Sequence, residues 1–69
     1  MNTLVLLGKR IQFLRKQKGM SQEDLALECG INKNYLSDLE RGRRNPSLII
    51  LDKICYGLEI DLATLFKGI

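Results

Sequence analysis

The side chains best suited to molecular recognition lie in one stretch, INKNYLSDLERGRRNP, which runs from Ile31 to Pro46. Amide, hydroxyl and ammonium groups follow one another here, and three arginines come directly after them. An asparagine amide matches the N6 and N7 atoms of adenine, a lysine donates to guanine, and guanidinium groups bind phosphates. The stretch therefore predicts contact with nucleic acid, although most polar helix faces are simply solvated surface.

Helical geometry predicts which of these side chains face outward. At about 100° per residue, Leu36 and Leu39 define the inward side of a helix over about 33–41. The opposite side then carries Asn34, Ser37, Asp38 and Arg41, and its flanks carry Lys33 and Tyr35. Tyr35 is suited either to ring contact with a thymine methyl group or to donation from its hydroxyl to a phosphate.

Charged residues near the end of this helix have two expected roles. Arg41, Arg43 and Arg44 are expected to bind backbone phosphates, and one of them is a candidate for the minor groove. Asp38 repels phosphates. It is expected to pair with Arg41 three residues on or to accept a hydrogen bond from cytosine N4, and the intrahelical pair is the favoured alternative.

The elements that position this stretch are predicted to be short helices. Apolar residues recur at helical spacing along the chain, and no segment alternates polar and apolar residues as a half-buried strand does. The predicted helices span about 3–18, 21–29, 33–41, 48–57 and 61–66. Their predicted N-caps are Ser21, Asn32, Ser47 and Asp61. The six glycines, Gly8 and Gly57 among them, and Pro46 are interpreted as breaks between segments.

Apolar positions predict a small common core. The buried face of the fourth helix is expected to contain Leu48, Leu51, Ile54, Cys55 and Leu58. Cys29 and Cys55 are interpreted as reduced core residues, because both lie at apolar helical positions and intracellular thiols stay reduced.

The composition limits the class of protein. The 69 residues suffice for a single domain, and 45% of them are hydrophobic, so the chain is expected to fold. Residues 1–44 carry nine bases and five acids, net +4, whereas residues 45–69 carry net −1, which favours a polyanionic partner. There is no histidine, and no glycine-rich phosphate loop follows a strand, so neither the usual zinc sites nor catalysis is expected. A cytoplasmic protein without cofactor, small-molecule ligand or membrane partner is expected, because no apolar run is long enough for a membrane span or a signal peptide.

The spacing from Ser21 to Gly42 is typical of a helix-turn-helix: a capped helix, a Gly–Ile–Asn turn and a second capped helix. From Gly8 to Phe66 the sequence resembles the Cro/cI-type (Xre) helix-turn-helix family, in the pieces IQFLRKQKGMSQEDLA, CGINKNYLSDLERGRRNPS and LDKICYGLEIDLATLF. The resemblance implies a compact, all-α, five-helix lambda-repressor-like domain, with the helix-turn-helix at about 21–41. Within this family, the sequence resembles minimal stand-alone regulators such as restriction–modification controller proteins.

The resemblance also implies roles for single residues. Gln22 matches a glutamine that binds a phosphate, and Arg15 and Glu40 match a pair that ties the first helix to the end of the third. The family positions that face bases or flanking phosphates correspond to Lys33, Asn34, Tyr35, Ser37 and Asp38. The positions along the DNA backbone correspond to Arg41, Arg43 and Arg44. Two positions depart from the family pattern, since Glu59 stands where glycine is common and Phe13 where a charged residue is common.

A homodimer on a pseudo-palindromic operator is expected, because one recognition helix contacts too few base pairs for useful specificity. The candidate dimer surface consists of Ile49, Tyr56, Ile60 and Leu62, and a rival patch consists of Leu6 and Phe13. The predicted function is sequence-specific regulation of transcription. The alternative is a protein-interaction module such as an antitoxin, which an exposed Phe13 favours.

Overall fold

The structure of the chain, a computed structural model, describes residues 2–69, and all regular elements in that range are helices. They are α1 (Thr3–Gln17), α2 (Gln22–Cys29), α3 (Lys33–Glu40), α4 (Leu48–Leu58) and α5 (Leu62–Leu65). The predicted all-α, five-helix fold is confirmed, and each helix begins and ends within one residue of its predicted bounds. Within the described range, no helix is both long enough and apolar enough to cross a membrane.

Side-chain caps determine where the helices begin. The predicted N-caps all accept hydrogen bonds from first-turn N–H groups; they are Ser21, Asn32, Ser47 and Asp61. At α2 the cap is reciprocal, since Ser21 Oγ accepts from the Asp24 N–H and Asp24 Oδ2 accepts from the Ser21 N–H, both at 3.0 Å. These hydrogen bonds, the backbone one foremost, lower the pKa of Asp24. Asn2 caps α1 in the same way, which the sequence had not indicated.

Four helices end with a residue in the left-handed conformation after the last turn. Gly19, Gly30 and Gly42 adopt it after α1, α2 and α3, with φ values of 71°, 68° and 77°. After α4 the residue is Glu59, at φ 58°, the one non-glycine residue of positive φ in the described range. The turn after α4 therefore has the left-handed conformation that glycine adopts most easily, although this chain has Glu59 where glycine is common in the family. Lys18 donates a hydrogen bond to the Glu59 carboxylate, which lowers the pKa of Glu59.

The core lies where the apolar faces of all five helices meet. Its most completely buried side chains are Ile11, Leu25, Leu36, Leu39, Ile54, Leu58 and Leu65. The prediction for Leu48 is wrong, since this side chain is 63% exposed. Helical spacing assigns a residue to a face, but it does not show where along the helix the neighbouring helices stop. Leu48 is the first residue of α4 and lies beyond the packed part of that helix.

Two glycines predicted as breaks lie inside helices. Gly8 is buried in α1 and Gly57 in α4. A Cβ atom on Gly8 would lie 2.5 Å from the backbone oxygens of Leu39 and Glu40, and one on Gly57 would lie 2.5 Å from the sulfur of Cys29. Both glycines therefore permit close helix packing, of α1 on α3 and of α4 on α2, rather than ending a helix.

Arg10 ties α1 to the C-terminal end of α5. Its Nη2 donates to the carbonyl of Thr64 at 2.8 Å, and its Nε donates to the carbonyl of Leu65 at 3.3 Å. A cation at this position satisfies carbonyl groups that have no partner within the helix. No sequence signal had indicated this contact.

Both cysteines are free thiols in the core, as predicted. Burial raises the pKa of Cys29 to about 11 and also raises the pKa of Cys55, so both thiols stay protonated near neutral pH. Residues 2–69 contain no group of three histidine, cysteine, aspartate or glutamate side chains placed to hold a metal ion.

Candidate nucleic-acid interface

The helix-turn-helix consists of α2, the turn 30–32 and α3. Gly30 ends α2 in the left-handed conformation, and Asn32 caps α3 by accepting from two first-turn N–H groups. Leu25 of α2 and Leu36 of α3 are fully buried in the common core. The turn, the cap and the core therefore hold α3 at the surface with one face free.

The free face of α3 is the one that helical spacing predicted. The residues directed inward are Leu36, Leu39 and Glu40, all buried. The exposed residues are Lys33, Asn34 and Arg41, and the half-buried ones are Tyr35, Ser37 and Asp38. The side chains of Lys33 and Asn34 take part in none of the hydrogen bonds or salt bridges found within residues 2–69. Their donors and acceptors thus point outward without an internal partner.

The turn after α3 carries the three arginines in a fixed backbone. The N–H of Gly42 donates to the Leu39 carbonyl at 3.0 Å, and the N–H of Arg43 donates to the Asp38 carbonyl at 2.9 Å. This pair of bonds is the Schellman motif, which closes the C-terminal end of a helix. The three guanidinium groups that it places beside α3 belong to exposed residues: Arg41, Arg43 and Arg44.

Asp38 pairs with a different arginine from the one predicted. Its Oδ2 lies 3.4 Å from Nη2 of Arg44, and the salt bridges within residues 2–69 include none between the side chains of Asp38 and Arg41. Arg44 also lies over the ring of Tyr35, with 5.3 Å from its guanidinium carbon to the ring centroid. The pair with Arg41 was expected from the three-residue spacing. The Schellman turn instead brings Arg44 back over α3, which spacing along one helix cannot indicate.

Arg15 and Glu40 form a buried ion pair between α1 and α3. Nε of Arg15 donates to Oε2 of Glu40 at 2.7 Å, and Nη2 donates to Oε1 at 3.0 Å. Only 8% of the Arg15 side chain and 2% of the Glu40 side chain are exposed. Two further bonds complete the network, since Nη1 of Arg15 donates to the Met20 carbonyl and Nε2 of Gln22 donates to Glu40. The network fixes the C-terminal end of α3 and the side chain of Gln22 against α1.

The candidate dimer surface is partly exposed. Ile49 is 69% exposed and Tyr56 is 77% exposed, while Ile60 and Leu62 are half-buried against the core. In the rival patch, Leu6 is half-buried. Phe13 is 55% exposed, and the Arg10 guanidinium lies 5.8 Å from its ring centroid. The larger exposed apolar area is therefore on α4.

A sequence profile of the helix-turn-helix family matches residues 11–65. The chain belongs to the Xre-type helix-turn-helix family. The relatives of this chain include the control protein C.MunI from a Mycoplasma species, which is 43% identical over 63 residues, 90% of this chain and 85% of that protein. The transcriptional regulator SlrR of Bacillus subtilis (strain 168) is 45% identical over 64 residues. That match covers 91% of this chain but only 42% of SlrR, so the chain spans less than half of that relative.

Solved structures of the family have the same fold. The restriction-modification controller protein C.AhdI from Aeromonas hydrophila is 41% identical and superposes with a TM-score of 0.92, covering 96% of this chain and 100% of that one. The controller protein C.Esp1396I, solved as a tetramer in complex with its natural 35 base-pair operator, is 36% identical with a TM-score of 0.85 and covers 91% of this chain and 83% of that one. The expected membership of the Xre-type family, with its link to controller proteins, is confirmed.

Proposed function

We propose that this helix-turn-helix protein is a sequence-specific DNA-binding regulator of transcription, with α3 placed in the major groove. The observation that carries the proposal is the free face of α3, where Asn34 and Lys33 have no partner among the described residues and the arginine turn follows directly. The family relatives support it, since they are transcriptional regulators and control proteins, and C.Esp1396I was solved with its operator.

The side chains divide into those that contact bases and those that contact phosphates. Asn34, Lys33 and Ser37 present hydrogen-bonding groups toward the groove, where each base pair has its own donor and acceptor pattern. The phosphate contacts are assigned to Gln22, Arg41, Arg43 and Arg44. Gln22 donates one hydrogen of its amide NH2 group to Glu40, and the second hydrogen of that group stays available for donation to a phosphate oxygen.

The proposal treats residues 1–69 as one DNA-binding domain in the cytoplasm, with double-stranded DNA as its partner. It assigns the protein no catalysed reaction. The helix-turn-helix family supports the DNA-binding role and the absence of a catalysed reaction, because its members include regulators and control proteins.

The protein is proposed to act as a homodimer that pairs through α4 and the turn into α5. If a two-fold axis places the two copies of α3 about 34 Å apart, both helices can enter successive major grooves on one face of the DNA. Ile49 and Tyr56 lie seven residues apart on the exposed side of α4, which gives the dimer an apolar strip that is interrupted by the exposed Asp52 and Lys53. Ile60 and Leu62 extend this strip to the edge of the core.

A binding titration tests the function. The preferred operator is selected from a random pool of duplex DNA, and its affinity is compared with that of a scrambled duplex over a range of salt concentrations. We expect preferential binding of the selected duplex and a steep loss of affinity with salt, because bound phosphates release counterions. If no duplex binds even at low salt, the protein is not a DNA-binding regulator.

The Asn34→Ala and Arg43→Ala variants are expected to separate base contacts from phosphate contacts. Asn34→Ala should cost about 1–3 kcal/mol of operator affinity and relax the preference at one base pair. Arg43→Ala should weaken binding to all sequences about equally and reduce the salt slope by about 1. Affinities for single-base operator variants, measured at several salt concentrations, provide both quantities. If both variants lose affinity uniformly, α3 does not contact bases through Asn34.

The Ile49→Asp variant is expected to convert the dimer to a monomer, because a carboxylate at the centre of an apolar interface is desolvated without a partner. Analytical ultracentrifugation over a concentration series measures the change. The matched control is Phe13→Asp, which places the same carboxylate in the rival patch and should leave the dimer intact. If Phe13→Asp alone gives the monomer, the interface lies on α1.

A further inference from the structure

Asp38 and Arg44 form an ion pair on the face of α3 that is proposed to enter the groove. Their closest atoms, Oδ2 and Nη2, are 3.4 Å apart, and the same guanidinium lies over the Tyr35 ring. About half of the Arg44 side chain and a third of the Asp38 side chain are exposed, at 51% and 32%. The pair is thus a surface contact that solvent or a ligand can reach.

The backbone around this pair is fixed, so only side chains can exchange partners. The Schellman motif joins Arg43 to the Asp38 carbonyl. Gly42 packs so closely on α1 that a Cβ atom there would lie 2.8 Å from Cα of Val5. Arg44 therefore stays beside α3 whichever group its guanidinium contacts, and it has two competing anions there: the Asp38 carboxylate and a DNA phosphate.

The balance between these two anions favours the phosphate. Exposed ion pairs are weak, whereas a guanidinium binds a phosphate through two parallel hydrogen bonds. Transfer of Arg44 to a phosphate leaves Asp38 without its counter-ion on a surface that faces the negatively charged DNA. The carboxylate then needs a hydrogen-bond donor, and in the major groove only the amino groups of cytosine N4 and adenine N6 provide one.

We infer that Asp38 is a specificity-determining residue that competes with DNA for Arg44 and disfavours every sequence that places no amino group within hydrogen-bond reach of its carboxylate. The inference rests on the proposed function and deepens it. A duplex whose amino groups lie out of reach of Asp38 binds at the cost of an unpaired carboxylate, while the operator restores a partner to Asp38. Asp38 therefore weakens binding to non-operator DNA more than binding to the operator.

The Asp38→Asn variant tests this inference, because it removes the charge and keeps the shape. We expect affinity for scrambled duplex to rise about fivefold, the factor for one unit charge about 4 Å from another in water. Operator affinity should change less than twofold, so the ratio of operator to scrambled affinity falls. The matched control is Glu28→Gln, which removes one exposed charge from α2 and should change both affinities by the same small factor. Equal changes for the two duplexes in Asp38→Asn, or a change no larger than that of Glu28→Gln, overturn the inference.

The same Asp38→Asn substitution in an Arg44→Ala protein isolates the competition between Asp38 and DNA for Arg44. In Arg44→Ala protein, Asp38 has no guanidinium to hold, so Asp38→Asn can relieve only the repulsion between carboxylate and DNA. We expect the gain for scrambled duplex to fall from about fivefold to about twofold. An equal gain in both backgrounds shows that Asp38 does not compete for Arg44. Failure of the unsubstituted protein to bind any duplex is a separate outcome, which rejects the proposed function and the inference together.

Discussion

Replacement of Glu40 by alanine is expected to lower the free energy of unfolding by about 3–5 kcal/mol. The carboxylate accepts two hydrogen bonds from Arg15 and one from Gln22, and almost none of it reaches solvent. Its removal leaves the Arg15 guanidinium buried, with the Met20 carbonyl as its one remaining hydrogen-bond partner among the described residues. Since small domains have about 5–15 kcal/mol of total stability, this loss is a large part of it.

Chemical denaturation followed by circular dichroism measures the loss, and a double-mutant cycle identifies its cause. Arg15→Ala and Glu40→Ala should each lower the free energy of unfolding substantially. The loss in the double variant should be clearly smaller than the sum of the two single losses, because no buried charge is then left without a partner. Lys18→Ala is the matched control. It removes the exposed partner of Glu59 and should leave stability close to that of the unsubstituted protein. Additive losses for the Arg15 and Glu40 variants would contradict a role as a coupled buried pair.

The same network bears on DNA binding. Glu40 is the last residue of α3, so its bonds to α1 set the direction in which the free face of α3 points. Gln22, proposed to bind a phosphate, shares an acceptor atom with Arg15. A phosphate contact and the orientation of α3 thus depend on one buried carboxylate, which links the stability of the fold to the geometry of the interface.

The sequence predicted those features that depend on neighbouring residues in the chain. The caps Ser21 and Asn32 are local hydrogen-bond patterns, and the outward face of α3 follows from the 3.6-residue period. Family resemblance supplied the pair of Arg15 and Glu40, which lie 25 residues apart and have no local signature. Local periodicity and resemblance together were therefore sufficient for the fold and for most of the candidate site.

The features that the sequence did not predict depend on how elements meet. The partner of Asp38 is Arg44 rather than Arg41, because a turn returns the chain over its own helix. The exposure of Leu48 depends on where neighbouring helices stop, and the contacts of Arg10 depend on where α5 lies. Gly8 carried a misleading signal, since the residue that most often ends a helix can also lie at the closest approach of two helices.

Replacement of Gly8 by alanine is expected to destabilise the protein by about 2–3 kcal/mol or more, although alanine is the better helix former by about 1 kcal/mol. The new Cβ atom would lie 2.5 Å from the Leu39 and Glu40 carbonyl oxygens and 2.8 Å from the Glu40 carbonyl carbon. All three obstacles are backbone atoms of α3, so no change of rotamer relieves the overlap. α1 and α3 must move apart, which stretches the ion pair and loosens the core between them.

Gly57→Ala is the matched control for this prediction, because it is the same substitution inside another helix. Its nearest obstacle is the Cys29 sulfur at 2.5 Å, followed by a methyl group of Leu25 at 3.2 Å, both on side chains. Gly57→Ala should therefore lower the free energy of unfolding less than Gly8→Ala does. Adding Cys29→Ala to Gly57→Ala should recover part of this stability, since the substitution removes the sulfur that the new Cβ atom overlaps. Denaturant unfolding of the two glycine variants and of the Gly57–Cys29 double variant measures these differences. If the Gly8→Ala protein is as stable as the unsubstituted one, α1 and α3 can move apart without loss of stability. The close approach at Gly8 then does not set the position of α3.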